Sequence, residues 1–157
     1  MEVVINIPAT RQATYVVSGA TFALLRAQLE SHGEWGTFTG RLVSTTRGNP
    51  VTRVIVACRP SITMPEWRER SAAARPLQAE WDRMIGALGQ HEAGHDDILR
   101  RIANEFRDTV TGLSPPPDRR TLTTMRRQLL SDHNDRQQSY DRTTQHGQRT
   151  GVALTDP

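Results

Sequence analysis

The sequence predicts an α+β fold, a small antiparallel sheet packed on long helices. Short runs of β-branched residues fill roughly the first sixty positions, and helical spacing of apolar residues takes over from about residue 65. Clusters of Gly and Pro punctuate the segments. The 157 residues fit one domain, strand-rich with one helix over 1–60 and helical over 61–150.

Residues 3–7 and 14–17 read as strands, and Ser18-Gly19 breaks the second. Phe22, Leu24, Leu25 and Leu29 follow a helical spacing that Gly33 closes. Residues 38–46 and 51–58 read as an antiparallel hairpin around the turn Arg47-Gly48-Asn49-Pro50. Trp67 opens a short helical stretch, and Pro76 restarts the chain into a helix over about 77–113. Ser114 and three prolines stop that helix, and Asp118 caps the next, which runs from about 119 to 144. The last ten residues read as a loop or tail.

All 20 basic residues are Arg, which accounts for the sequence pI of 9.9 at a net charge of only +3. The lack of Lys excludes Schiff-base and phosphate-loop chemistry. No dense Arg stripe with interleaved aromatics appears, so nucleic acid is not an expected partner. Cys58, the single cysteine, lies in an apolar run and is expected to be a buried thiol. No signal peptide and no membrane span is legible, so the chain as written reads as cytoplasmic.

His91-Glu92-Ala93-Gly94-His95 matches H-E-x-x-H. Two histidines four apart share one helix face and can share a tetrahedral zinc, which makes this a zincin-like metal helix. Glu92 then stands beside the metal as a general base for a water. These residues fall inside an apolar stripe that includes Trp81, Met84, Leu88, Leu99, Ile102 and Phe106. Three polar groups on a core face need a partner, which a metal ion supplies. The plainer alternative is that both imidazoles bond to backbone carbonyls. A third ligand must come from elsewhere, and the end of the last helix offers His133, Tyr140, Asp141, Thr144 and His146. His133, Gln137, Tyr140 and Thr144 share a helical face, which could also be merely solvated. Gly147 would let the chain turn His146 inward. His32, before Gly33, reads as a surface helix end.

The segment Tyr140-Asp141-Arg142-Thr143-Thr144-Gln145-His146-Gly147 resembles the Y-D-x-x-T-x-H-G signature of a bacterial domain-of-unknown-function family whose members are described as predicted secreted zinc-dependent proteases. Tyr15-Val16-Val17-Ser18-Gly19 resembles its Y-x-V-x-G strand. Ile62-Thr63-Met64-Pro65-Glu66-Trp67 resembles its T-x-P-x-W step. Trp81 and the H-E-x-G-H form of the motif also match, over about residues 13 to 150. The resemblance implies a third ligand in the second signature, assigned here to His146, with His133 and then Asp141 as the alternatives. Chemistry then suggests Asp141 as a carboxylate that orients an imidazole and Tyr140 as an oxyanion donor. Family members are typically exported, so export is possible for this chain too.

The expected function is a zinc-dependent hydrolase, first of all a metallopeptidase cleaving an amide bond. Its substrate would be a peptide or a small-molecule amide, with neither nucleic acid nor membrane as partner. One alternative is a zinc enzyme acting on a small metabolite in a biosynthetic pathway. The other is a non-catalytic, zinc-stabilised binding module. A structural zinc is closed by four protein ligands and needs no carboxylate base, which makes Glu92 the discriminating residue.

Overall fold

A computed structural model describes residues 1–156. The order is β1 (Glu2–Asn6), β2 (Arg11–Val17), α1 (Phe22–His32), β3 (Thr37–Thr39), β4 (Val43–Arg47), β5 (Arg53–Ala57), β6 (Ser61–Trp67), α2 (Arg75–Gly112) and α3 (Arg119–Thr144). The fold is α+β, with two small sheets and three helices. The helix ends follow their local chemistry. Thr21 Oγ1 accepts from Leu24 N at the start of α1, and Gly33 at φ 96° ends it. Asp118 Oδ1 accepts from Thr121 N at 2.7 Å at the start of α3. Pro76 sits in the first turn of α2, where its missing N–H costs nothing.

Each sheet has three strands, in the orders β1-β5-β4 and β2-β6-β3. The hairpin expected around residues 47–50 is there, with β4 antiparallel to β5 from Val43↔Ala57 to Arg47↔Arg53. The sheets are nevertheless mixed rather than antiparallel, because β1 runs parallel to β5 and β2 parallel to β6. The first two strands reach their partners through α1 and the hairpin, a connection long enough for parallel pairing. Strand β6, not expected from the sequence, ends at Trp67, where a helical stretch was expected to open, and of that stretch only a 3-10 turn at Arg70–Ala72 is present. Pro65 obscures β6 in the sequence. It is tolerated because β3 pairs only with Ser61, Ile62 and Thr63, short of the proline.

The helix α2 serves two cores. Its first half, through Trp81, Met84 and Leu88, packs with Val17, Phe22, Leu25, Leu29 and Trp67. Its second half, through Leu99, Ile102, Phe106 and Val110, packs with Val54, Val56, Cys58, Leu122 and Leu129. Cys58 is buried, as expected. His32 is exposed and stacks on Tyr15 at 3.7 Å. Among the described residues no helix is long and apolar enough to cross a membrane.

Candidate metal centre

Where the two cores meet, α2 presents His91, Glu92 and His95, all buried. The helix α3 crosses there and brings Gln137, Tyr140, Asp141 and Thr144 against it; Thr144 is also buried. His91 Nε2 lies 3.4 Å and His95 Nε2 3.0 Å from the same atom, Asp141 Oδ1. One ligand atom from each of His91, His95 and Asp141 lies within 4.8 Å of the others, a spacing that can hold a metal ion.

The far side of each ring decides what the near side offers. Gln137 Nε2 donates to the His95 carbonyl at 3.0 Å, so its Oε1, 2.5 Å from His95 Nδ1, must accept a proton from that nitrogen. Thr144 Oγ1 donates to the Tyr140 carbonyl at 2.8 Å and stands 3.5 Å from His91 Nδ1, where it accepts. Both imidazoles are thereby held with hydrogen on Nδ1 and a lone pair on Nε2. Burial lowers the His91 pKa, with His95 adding to the effect against the opposing pull of Asp141. Two ring lone pairs and a carboxylate thus face one another with no donor of their own. A single divalent cation would satisfy all three, and two imidazoles with a carboxylate are a donor set that zinc accepts.

Glu92 points from the same turn toward the other wall. Burial raises its pKa to about 7, helped by Glu34 and Asp141 and opposed by a hydrogen bond from the Phe38 backbone. Gly36 makes room for it, since a Cβ there would lie 2.8 Å from Glu92 Oε1. A cleft of about 830 Å³ opens over these groups, lined among others by Trp35, Gly36, Phe38, His133 and Leu154.

The group that this structure brings together has Asp141, not His146, beside the two histidines. His146 does not join His91 and His95; its side chain is 74% exposed at the mouth of the cleft, with Nδ1 3.7 Å from Asp141 Oδ1. The cause is local. The helix ends at Thr144, and Gln145 (φ 50°) and His146 (φ 52°) both turn left-handed, which directs the ring outward. Asp141 lies within the last turn of the helix and stays on the face toward α2. His133 lines the cleft and accepts from Gln137 Nε2 at 3.2 Å, outside the metal group.

Tyr140, expected as an oxyanion donor, lies against the two histidines. Its ring stacks on His91 at 5.0 Å and meets His95 edge-on at 4.9 Å. Its hydroxyl lies over Gly94, where a Cβ would come within 2.2 Å of it. Tyr140 therefore wedges the two histidines from behind and does not line the cleft. That contact gives a reason for the Gly in H-E-x-G-H. Gly147 has a matching one, because a Cβ there would press on Val152 at 2.5 Å and on the His91 ring at 3.2 Å. Gly36, Gln137 and Thr144 were not assigned from the sequence. For the last two the available signal was their shared helical face with His133 and Tyr140.

Comparison with curated proteins and with solved structures finds no match. The family model described as "Bacterial protein of unknown function (DUF922)" matches residues 12–147, most of the chain, and the protein belongs to that family.

Proposed function

We propose that this protein is a zinc-dependent hydrolase of metallopeptidase type, with His91, His95 and Asp141 holding the metal and Glu92 as general base. The observation that carries the reading is the convergence of two Nδ1-protonated imidazoles and a carboxylate on one point. Zinc bound there would supply Lewis-acid polarisation of a carbonyl and a water acidified toward neutral pH. Glu92, with a carboxyl tuned to about 7, is matched to taking a proton from water and returning it to a leaving amine. A divalent cation beside it would favour the carboxylate form. A purely structural zinc would leave a buried carboxylate at this position without a task.

The substrate side favours a peptide. Strand β3 is an edge strand, bonded to β6 alone, and Phe38 within it and Gly36 and Gly40 at its ends line the cleft. An extended chain can add to such an edge by main-chain hydrogen bonds. The first test is metal content. Purified protein reconstituted with zinc and dialysed is expected to hold about one equivalent by elemental analysis. Less than about a tenth of an equivalent would overturn the proposal.

The orientation of the rings gives a second expected result. Gln137→Leu and Thr144→Val each remove the group that fixes one imidazole while leaving every proposed ligand in place. Each should weaken zinc binding by about 10- to 100-fold in competition with a chromogenic chelator. Wild-type affinity in both variants would show that the rings need no such support.

A further inference from the structure

We propose that a second chamber, next to the metal cleft and sharing Phe38, Gly40 and His133 with it, receives an acidic side chain of a peptide substrate through Arg41 and Arg59. The proposal rests on the reading of the cleft as a peptide site. It adds a specificity that the metal chemistry does not determine.

The chamber measures about 630 Å³, and those three residues line both it and the cleft. Its walls include apolar side chains that a core would normally cover, Val43 at 49% and Leu130 at 37% exposure. No acidic residue lines it, whereas Arg41 and Arg59 do. Neither arginine side chain makes an ion pair or hydrogen bond among the described residues. The metal cleft has the opposite character. It is lined by Glu30, Glu34, Glu92 and Asp141, and its one arginine, Arg26, is engaged by Asp156 and the Leu154 carbonyl. Side by side, the two cavities therefore present an acidic end and a basic one, a field that orients a substrate carrying charge.

The chain direction sets the distance. From Phe38, which stacks on His95, β3 leads through Thr39 and Gly40 to Arg41. An extended peptide advances about 3.3 Å per residue, so a substrate laid along this edge enters the chamber about two to three residues from the bond at the metal. Guanidinium groups hold carboxylates by paired, charge-assisted hydrogen bonds, and the apolar floor accommodates the methylenes of Glu.

The test uses N-acetylated, C-amidated hexapeptide pools with one position fixed in turn as Asp/Glu, Asn/Gln or Lys/Arg. Binding is read by competition against a fluorescent peptide, on zinc-loaded Glu92→Gln protein and on metal-free wild type. At one or two positions toward one end, the Asp/Glu pool should bind about tenfold tighter than Asn/Gln. The double variant Arg41→Glu, Arg59→Glu should shift that preference to Lys/Arg. The control pair Arg101→Glu, Arg120→Glu makes the same change in net charge outside both cavities and should leave it alone. Equal binding of the three pools, no binding of any pool, or loss of preference in the control pair would each overturn the chamber proposal. Should the protein take up no zinc, the hydrolase reading fails, and the metal-free titration still decides the chamber on its own.

Discussion

Glu92→Gln is expected to hold zinc as wild type does and to lose hydrolytic activity by roughly 10²- to 10⁴-fold. Glutamine keeps the shape that fits against Gly36, so neither core nor ligand geometry has cause to move. It cannot accept a proton at neutral pH, and the loss corresponds to about 3–5 kcal/mol of barrier. The measurement pairs zinc per chain with kcat/KM on a quenched fluorescent peptide pool. A variant as fast as wild type would remove Glu92 from the chemistry. A variant that lost its zinc would instead make the carboxylate part of the binding site.

The second large effect separates two candidates for the third ligand. Asp141→Ala should weaken zinc binding by more than the 10- to 100-fold typical of outer supporting groups, because it removes a direct donor. His146→Ala should leave affinity within a few-fold, since that ring lies at the mouth, mostly in solvent. Competition with chelators of graded strength reads both variants on one scale. The reverse order, with His146→Ala the more damaging, would favour the ligand set read from the sequence. It would mean that the left-handed turn at residues 145–146 rearranges when the metal binds.

The sequence made the helical half legible because a helix of this length declares itself by period. The stripe through Trp81, Leu88, Leu99 and Phe106 gave α2 nearly to its ends, and Asp118 gave the start of α3. The strands were harder. Residues 38–46 read as one strand, yet β3 stops at Thr39, and a Cβ at Gly40 would meet Phe38 and Leu99 at 2.5–2.7 Å. Strand direction depends on where a chain returns, which local propensity does not record, so the parallel pairings of β1 and β2 went unread. The same limit applies at the site. His91, Glu92 and His95 follow from spacing along one helix. The approach of α3 depends on how two helices cross, and a rotation of one residue's worth exchanges which side chains face the two histidines. Histidine looks the better zinc ligand by residue type, but the helix end puts the aspartate nearer His91 and His95.

The placement of the site between two cores bears on how this protein could change over time. A metal centre cut into a single core must trade every ligand against apolar packing, so that altering one unsettles the other. Here α2 runs continuously past the centre, with one apolar cluster gathered on each side. The cost of three polar groups falls on a seam where apolar contacts already thin out. Cleft residues can then vary while Trp81 and Phe106, each in its own cluster, keep the helix in register. The scaffold separates what must stay constant for folding from what may drift for specificity, and one uninterrupted helix joins the two.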